Sequence, residues 1–206
     1  MNNKFWGCML AAVAISSCFT SCDEDEKVAM QLSGTWEGKM YSCIEWRTQG
    51  SERWHSAEPS MTYLNFVTDH LFGSTQGYGV EVDYFAAPCP VEYFSCEFDW
   101  KVRDGNVDLD FGYKYEDMNV TIYDYRLHYG SFKGQVGPKH DEFSFVSSEF
   151  DCSPFYYLQD GHRVYPGEIA PSEYCHYRDA QFDDEGTRSE DGDSTQYEVR
   201  VVRRRR

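Results

Sequence analysis

The chain has 206 residues and a formal net charge of −16, with 35 acidic side chains against 19 lysines and arginines. This acidity excludes nucleic acid as a partner across the whole surface, because phosphate contacts need clustered cations. Aromatic residues make up 17% of the chain, with 16 tyrosines and 14 phenylalanines. Such a balance is typical of β-structure and of contact surfaces.

The first 21 residues have the pattern of a secretory signal. Lys4 precedes an apolar run over residues 5–19, which is shorter than the roughly 20 residues of a membrane span. Phe19-Thr20-Ser21-Cys22 then places a bulky apolar residue three positions before a cysteine. This arrangement resembles the lipobox of bacterial lipoprotein signal peptides. The resemblance implies that residues 1–21 are removed and that Cys22 is acylated, for example with palmitate, so that the N-terminal lipid attaches the chain to a membrane.

An acidic run, Asp23-Glu24-Asp25-Glu26, follows the predicted lipidation site. It resembles the export tag of surface lipoproteins in gut anaerobic Gram-negative bacteria. The resemblance implies a lipid-anchored protein of the outer membrane that faces the cell surface, with the periplasmic face as the alternative. Residues 22–31 are predicted to be an acidic tether.

Residues 32–150 carry the signs of a folded, all-β domain. The clearest run is residues 94–103, in which apolar and polar side chains alternate strictly, as in a half-buried strand. Asp104-Gly105-Asn106 then has the residues of a turn. Strands are predicted near 35–47, 61–68, 78–85, 94–103, 107–113, 119–127, 130–136 and 142–149. About eight antiparallel strands need either a closed barrel or two packed sheets, because open edges invite aggregation.

Gly34-Thr35-Trp36 opens this domain. A Gly-x-Trp at the head of the first strand resembles the entry motif of lipocalin-like barrels, and small lipocalin-like lipoproteins of gut anaerobes begin in this way. The resemblance implies an up-and-down barrel with Trp36 at its base, and Gly34 and Trp36 as structural residues. It implies little about function, since one fold serves many roles.

The last 56 residues differ from the rest. Residues 151–178 are rich in proline and tyrosine and are predicted to form an irregular but ordered extension. Residues 179–206 combine many acids with Gly, Ser and Thr and end in four arginines, which predicts a disordered tail. A frayed strand over residues 199–206 is the alternative.

Five cysteines follow Cys22, and an odd number cannot pair completely within one chain. The natural local pairs are Cys89 with Cys96 and Cys152 with Cys175, which leaves Cys43. An anaerobic habitat that keeps all five reduced is the alternative. A zinc site built from Cys152, His162, Cys175 and His176 is a further alternative, but the spacing matches no zinc signature.

No catalytic constellation, metal site or cofactor motif is predicted. Aromatic side chains at expected loop or rim positions could instead contact a ligand: Trp46, Trp54, Tyr84 and Tyr93. Filling of the β-core is the alternative role of each. The sequence therefore predicts a non-catalytic envelope lipoprotein that binds a glycan, a small apolar molecule or an envelope protein. An envelope enzyme or enzyme inhibitor is the alternative.

Overall fold

The computed structural model describes residues 24–40, 42–68, 73–112, 118–159, 162–164, 175–178 and 197–203. Cys22 and the predicted signal lie outside these ranges, as do residues 179–196 of the predicted tail. Within the described residues, no helix is both long and apolar enough to cross a membrane.

Eight antiparallel strands close into a barrel. They are β1 (Gly34–Lys39), β4 (Met61–Thr68), β5 (Gln76–Tyr84), β6 (Val91–Arg103), β7 (Asn106–Asp110), β8 (Val120–His128), β9 (Ser131–Val136) and β10 (Asp141–Ser148). Strands β4 to β10 pair in chain order, including β6 with β7, and β1 closes the barrel between β10 and β4. This confirms the prediction of an all-β, lipocalin-like barrel over the alternative of two packed sheets.

Aromatic rings fill the barrel. Phe98 and Trp100 on β6 point inward and contact Phe66 on β4, with ring centroids 5.4 and 5.7 Å apart. Glycines on β5 make room for them: a Cβ on Gly79 would lie 2.4 Å from Cζ of Phe98. The alternation predicted for residues 94–103 therefore places its apolar side chains in the barrel core.

One end of the barrel is covered by a helix, α1, over residues 24–32. Ala29 and Leu32 on its inner face are fully buried in the barrel core, and the Asp25 carboxylate accepts a hydrogen bond from the Gly105 amide in the β6–β7 turn. The residues predicted as the 22–31 tether are thus largely helical. The acidic run agrees with a helix at this position, because acids near a helix N-terminus are favourable.

A separate three-stranded sheet lies at the opposite end of the barrel, where β1 ends and β4 begins. It consists of β2 (Ser42–Thr48), β3 (His55–Ala57) and β14 (Tyr197–Arg203), with β2 in the centre. Its apolar face, including Ile44 and Trp46, packs against the barrel core. The strand predicted near 35–47 is therefore two strands, of which the second leaves the barrel. Residues 197–203 pair with β2 across 149 to 161 positions of sequence, so they form a strand, as in the frayed-strand alternative for residues 199–206, and not the predicted disordered tail.

Of the predicted extension, the structure describes residues 151–159, 162–164 and 175–178, and residues 152–156 pack on the outer face of β5 and β6. The extension contains a short 3-10 helix (Ser153–Phe155), a two-residue pair of strands, β11 (Leu158–Gln159) and β12 (His162–Arg163), and β13 (Cys175–Tyr177), which pairs with β6. Val80 and Val82 point outward from β5 and are buried beneath this segment with Cys152. The barrel therefore has a second, smaller apolar cluster on its outer face.

Candidate functional site

The four aromatic residues predicted to contact a ligand do not form one surface. Tyr84 and Tyr93 lie together on the outer face of β5 and β6, with ring centroids 5.6 Å apart. Trp46 and Trp54 belong to the three-stranded sheet and its β2–β3 connection. Trp46 is only 8% exposed, packs against the barrel core and stacks on His55, so its role is structural.

Tyr84 and Tyr93 are part of the outer apolar cluster. Tyr84 meets Phe150 edge to face at 6.1 Å, and Tyr93 meets Phe155 in the same way at 5.3 Å. Tyr93 also stacks on His176, with ring centroids 4.1 Å apart. The C-terminal extension thus covers both tyrosines, and their rings hold it on the barrel.

Trp54 lies between two arginines. The guanidinium carbons of Arg47 and Arg200 are 4.7 and 4.2 Å from the centroid of its ring. Arg47 also pairs with Glu198, and Arg200 with Glu45, each at 2.5 Å. Trp54 therefore joins β2 to β14 on the outward face of this sheet.

The five described cysteines are buried thiols, so neither predicted disulfide is formed. Cys152 lies in the outer cluster whereas Cys175 belongs to the barrel core, on the other side of the sheet. The local spacing used for the prediction could not reveal this separation. Among the described residues, no group of three or more His, Cys, Asp and Glu could hold a metal ion.

Two carboxylates point into the barrel from β5. Glu81 and Asp83 are both fully buried. One oxygen of Asp83 accepts a hydrogen bond from the Ser42 hydroxyl at 2.6 Å, and the other accepts one from Thr62 at 2.5 Å. Asp83 therefore fastens the start of β2 to the barrel wall.

A third buried carboxylate, Glu97, faces outward on β6 beneath the extension. It is 1% exposed and accepts hydrogen bonds of 2.6 Å from the Tyr157 amide and from Nε of Arg163. Arg163 also pairs with Asp99 and lies over the Tyr78 ring. Burial raises the pKa of Glu97, and the bonds from Arg163 and Tyr157 oppose that rise. The arrangement holds the extension in place.

A cleft of about 430 Å³ opens where the three-stranded sheet meets the barrel end. This volume is typical of small-molecule sites. Its apolar surface comes from Met40, Pro59, Met61 and Phe143. Charged and polar groups surround that surface: Lys39, Ser42, Glu58, Glu142 and Ser144. The hydroxyl of Ser42 donates a hydrogen bond to Asp83. The cleft could therefore take an apolar body together with polar groups at its edge.

The sequence patterns did not predict the cleft. Its residues come from the end of β1, the β1–β2 connection, the start of β2, the β3–β4 connection, the start of β4 and the start of β10. They are brought together by barrel closure, which a local pattern does not encode. Met40 and Pro59, where the chain leaves and re-enters the barrel, were the available hint.

No protein-family model, curated protein or solved structure matches the chain. The resemblance to lipocalin-like lipoproteins stays a prediction beyond the barrel itself.

Proposed function

We propose that the chain is a non-catalytic lipoprotein of the bacterial outer membrane, anchored through Cys22 and facing the cell surface. In this proposal it binds a small amphipathic ligand in the cleft between the barrel end and the three-stranded sheet. The observation that carries the proposal is the position of the open space: the barrel interior is occupied by rings, whereas the cleft offers about 430 Å³.

The chemistry of the cleft supports an amphipathic ligand. Met40, Met61 and Phe143 offer flexible and aromatic contacts to an apolar body, and thioethers adapt well to irregular shapes. Lys39 and Glu142 lie at the same cleft and can bind polar groups of either charge. A binding role without catalysis is supported by the carboxylates at the barrel, since Asp83 and Glu97 hold structural elements together.

The site is tested by titrating the full chain with N-phenyl-1-naphthylamine, whose fluorescence rises in apolar surroundings. Met61→Trp fills part of the cleft and removes contact area equivalent to about two methylenes, each worth about 0.8 kcal/mol. We expect dye affinity to fall about ten-fold. Met30→Trp is the matched control, because Met30 lies on the outer side of α1 and is 68% exposed. Equal affinities for both variants would place dye binding elsewhere.

The anchor is tested separately by growing cells with radiolabelled palmitate. Cys22→Ser should abolish labelling, whereas Cys18→Ser, at a cysteine four positions earlier within the predicted signal, should leave it intact. Retained label on Cys22→Ser would disprove the anchor. Protease added to intact cells should degrade the domain, and resistance in intact cells but not in lysed cells would assign it to the periplasmic face.

A further inference from the structure

The strand β14 has an open edge. Among the strands that the structure describes, it lies at one side of the three-stranded sheet and pairs with β2 alone. Half of the peptide groups of an antiparallel strand point away from its single neighbour. Such an edge can accept another strand, and the residues of β14 determine which strand fits.

Residues 197–201 of β14 read Tyr-Glu-Val-Arg-Val, a sequence that complements itself. When a second copy runs antiparallel with Val199 opposite itself, Glu198 faces Arg200 of the second copy, and Arg200 faces Glu198. Tyr197 and Val201 face each other at both ends. Opposite charges and aromatic–β-branched pairs are both favourable cross-strand partners. This register therefore contains no mismatched pair.

The neighbouring strand β2 extends the alternation of charges. Within one copy, Glu45 is opposite Arg200 and Arg47 is opposite Glu198, and both pairs form ion pairs at 2.5 Å. Across two copies the order becomes Glu45, Arg200, then Glu198 and Arg47 of the second copy. Negative and positive charges thus alternate along the whole row, and two-fold symmetry produces a second identical row.

The other face of the sheet is apolar at the positions that the proposed register aligns. Val199 is opposite Trp46 and Val201 is opposite Ile44, and all four pack towards the barrel core. A two-fold axis through Val199 runs perpendicular to the sheet, so it leaves this face on the same side in both copies. Both barrels then lie on one side of the joined sheet.

We propose that two copies of this chain associate through their β14 edges, antiparallel and centred on Val199, to form one six-stranded sheet. The interface is independent of what the cleft binds. The charge pattern selects a second copy of the chain over other extended segments, because the row alternates only when Glu198 meets Arg200.

Charge reversal tests the register without breaking the ion pairs inside a copy. Arg47→Glu with Glu198→Arg keeps that pair in reversed order but places two arginines opposite each other between copies. In sedimentation velocity of the full chain in detergent, we expect this variant to associate at least about ten-fold more weakly. Adding Glu45→Arg and Arg200→Glu restores the alternation, and with it the dimer. A four-fold variant that stays monomeric would overturn the proposal.

A mixing experiment adds specificity. The unchanged chain and the four-fold variant should each associate with themselves, but not with each other, because like charges meet in the mixed pair. Co-expressed copies with different affinity tags should therefore copurify only within each type. Copurification of the two types would contradict the register.

Disulfide trapping locates the centre of the interface. In the proposed register the two Val199 Cβ atoms lie about 5 Å apart, so Val199→Cys should give a covalent dimer in membranes treated with copper phenanthroline. Val201→Cys is the matched control on the same strand and face. Its two copies lie about 13 Å apart and should not cross-link. Equal cross-linking of both variants, or of neither, would overturn the proposal.

Discussion

Phe66 on β4 and Phe132 on β9 touch across the barrel, with ring centroids 6.5 Å apart. Three strand intervals separate β4 from β9 in the closed sheet, so the contact crosses the interior rather than joining neighbours. Phe132 also meets Trp36 at 5.6 Å and Phe143 at 4.9 Å. The ring of Phe132 thus links β9 to three other strands of the barrel, β10, β1 and β4.

Replacing Phe132 with alanine should leave a cavity in the middle of this network. We expect the free energy of unfolding to fall by about 3–5 kcal/mol, measured by urea denaturation. Tyr129→Ala is the control, because Tyr129 is 95% exposed and its loss should cost less than about 0.5 kcal/mol. Similar losses for the two variants would mean that the interior rings do not support the fold.

Arg163→Ala should destabilise the chain by about 3 kcal/mol near neutral pH, because Glu97 is left as a buried charge without its cation. The pKa of Glu97 is already raised by burial, and loss of Arg163 raises it further. The folded variant then holds a proton at pH values where the unfolded chain has lost it. Its stability therefore falls as pH rises through that window.

The pH dependence separates this effect from simple loss of packing. The deficit of Arg163→Ala relative to the unchanged chain should shrink as pH falls towards about 4.3, the usual pKa of glutamate. Arg103→Ala provides the control, since Arg103 makes an exposed pair with Asp108 at 3.5 Å worth less than about 1 kcal/mol. A deficit that is constant with pH would argue against an unpaired Glu97 charge.

Trp54→Ala should loosen β14 rather than unfold the barrel. The ring faces guanidinium groups on both β2 and β14, and each such contact contributes about 0.5–1 kcal/mol. We expect hydrogen exchange of the amides of residues 197–203 to be about ten-fold faster, while amides of β5 and β6 keep their rates. Unchanged exchange in β14 would show that the ion pairs alone hold the strand.

The buried thiols should be slow to react in the folded chain. Burial raises the pKa of Cys152 to about 11 and that of Cys175 to about 12, so little thiolate is present at pH 8. A colorimetric disulfide reagent should therefore label neither cysteine until denaturant is added. Failure to label after unfolding, reversed by a reductant, would reveal a disulfide instead.

Much of the barrel could be predicted from the sequence. The strands near 61–68, 130–136 and 142–149 lie within a residue of their predicted bounds, because each carries its own alternation or turn residues. Residues 94–103 form the C-terminal part of β6, which runs from Val91 to Arg103. These signals are local, because a strand with one buried face shows its alternation within its own residues.

Long-range pairings account for what was missed. The strand β14 depends on β2, whose partner residues lie 149 to 161 positions earlier, so its own weak alternation predicts no more than a frayed strand. The helix α1 has a short apolar face beside many charges, and burial of Ala29 and Leu32 requires the barrel to exist first. Glu97 was expected in solvent, but Tyr157 and Arg163 arrive from a distant segment to cover it.

The position of the helix over residues 24–32 determines which end of the barrel a lipid on Cys22 would bring to the bilayer. It covers the barrel end opposite the cleft, and Asp23 is the single residue between it and Cys22. A lipid on Cys22 would therefore hold the covered end of the barrel close to the bilayer. The 13 residues of β6 span about 40 Å at the usual rise per residue. The cleft and the β14 edge would then lie at the end of the barrel that faces away from the bilayer, accessible from the aqueous side.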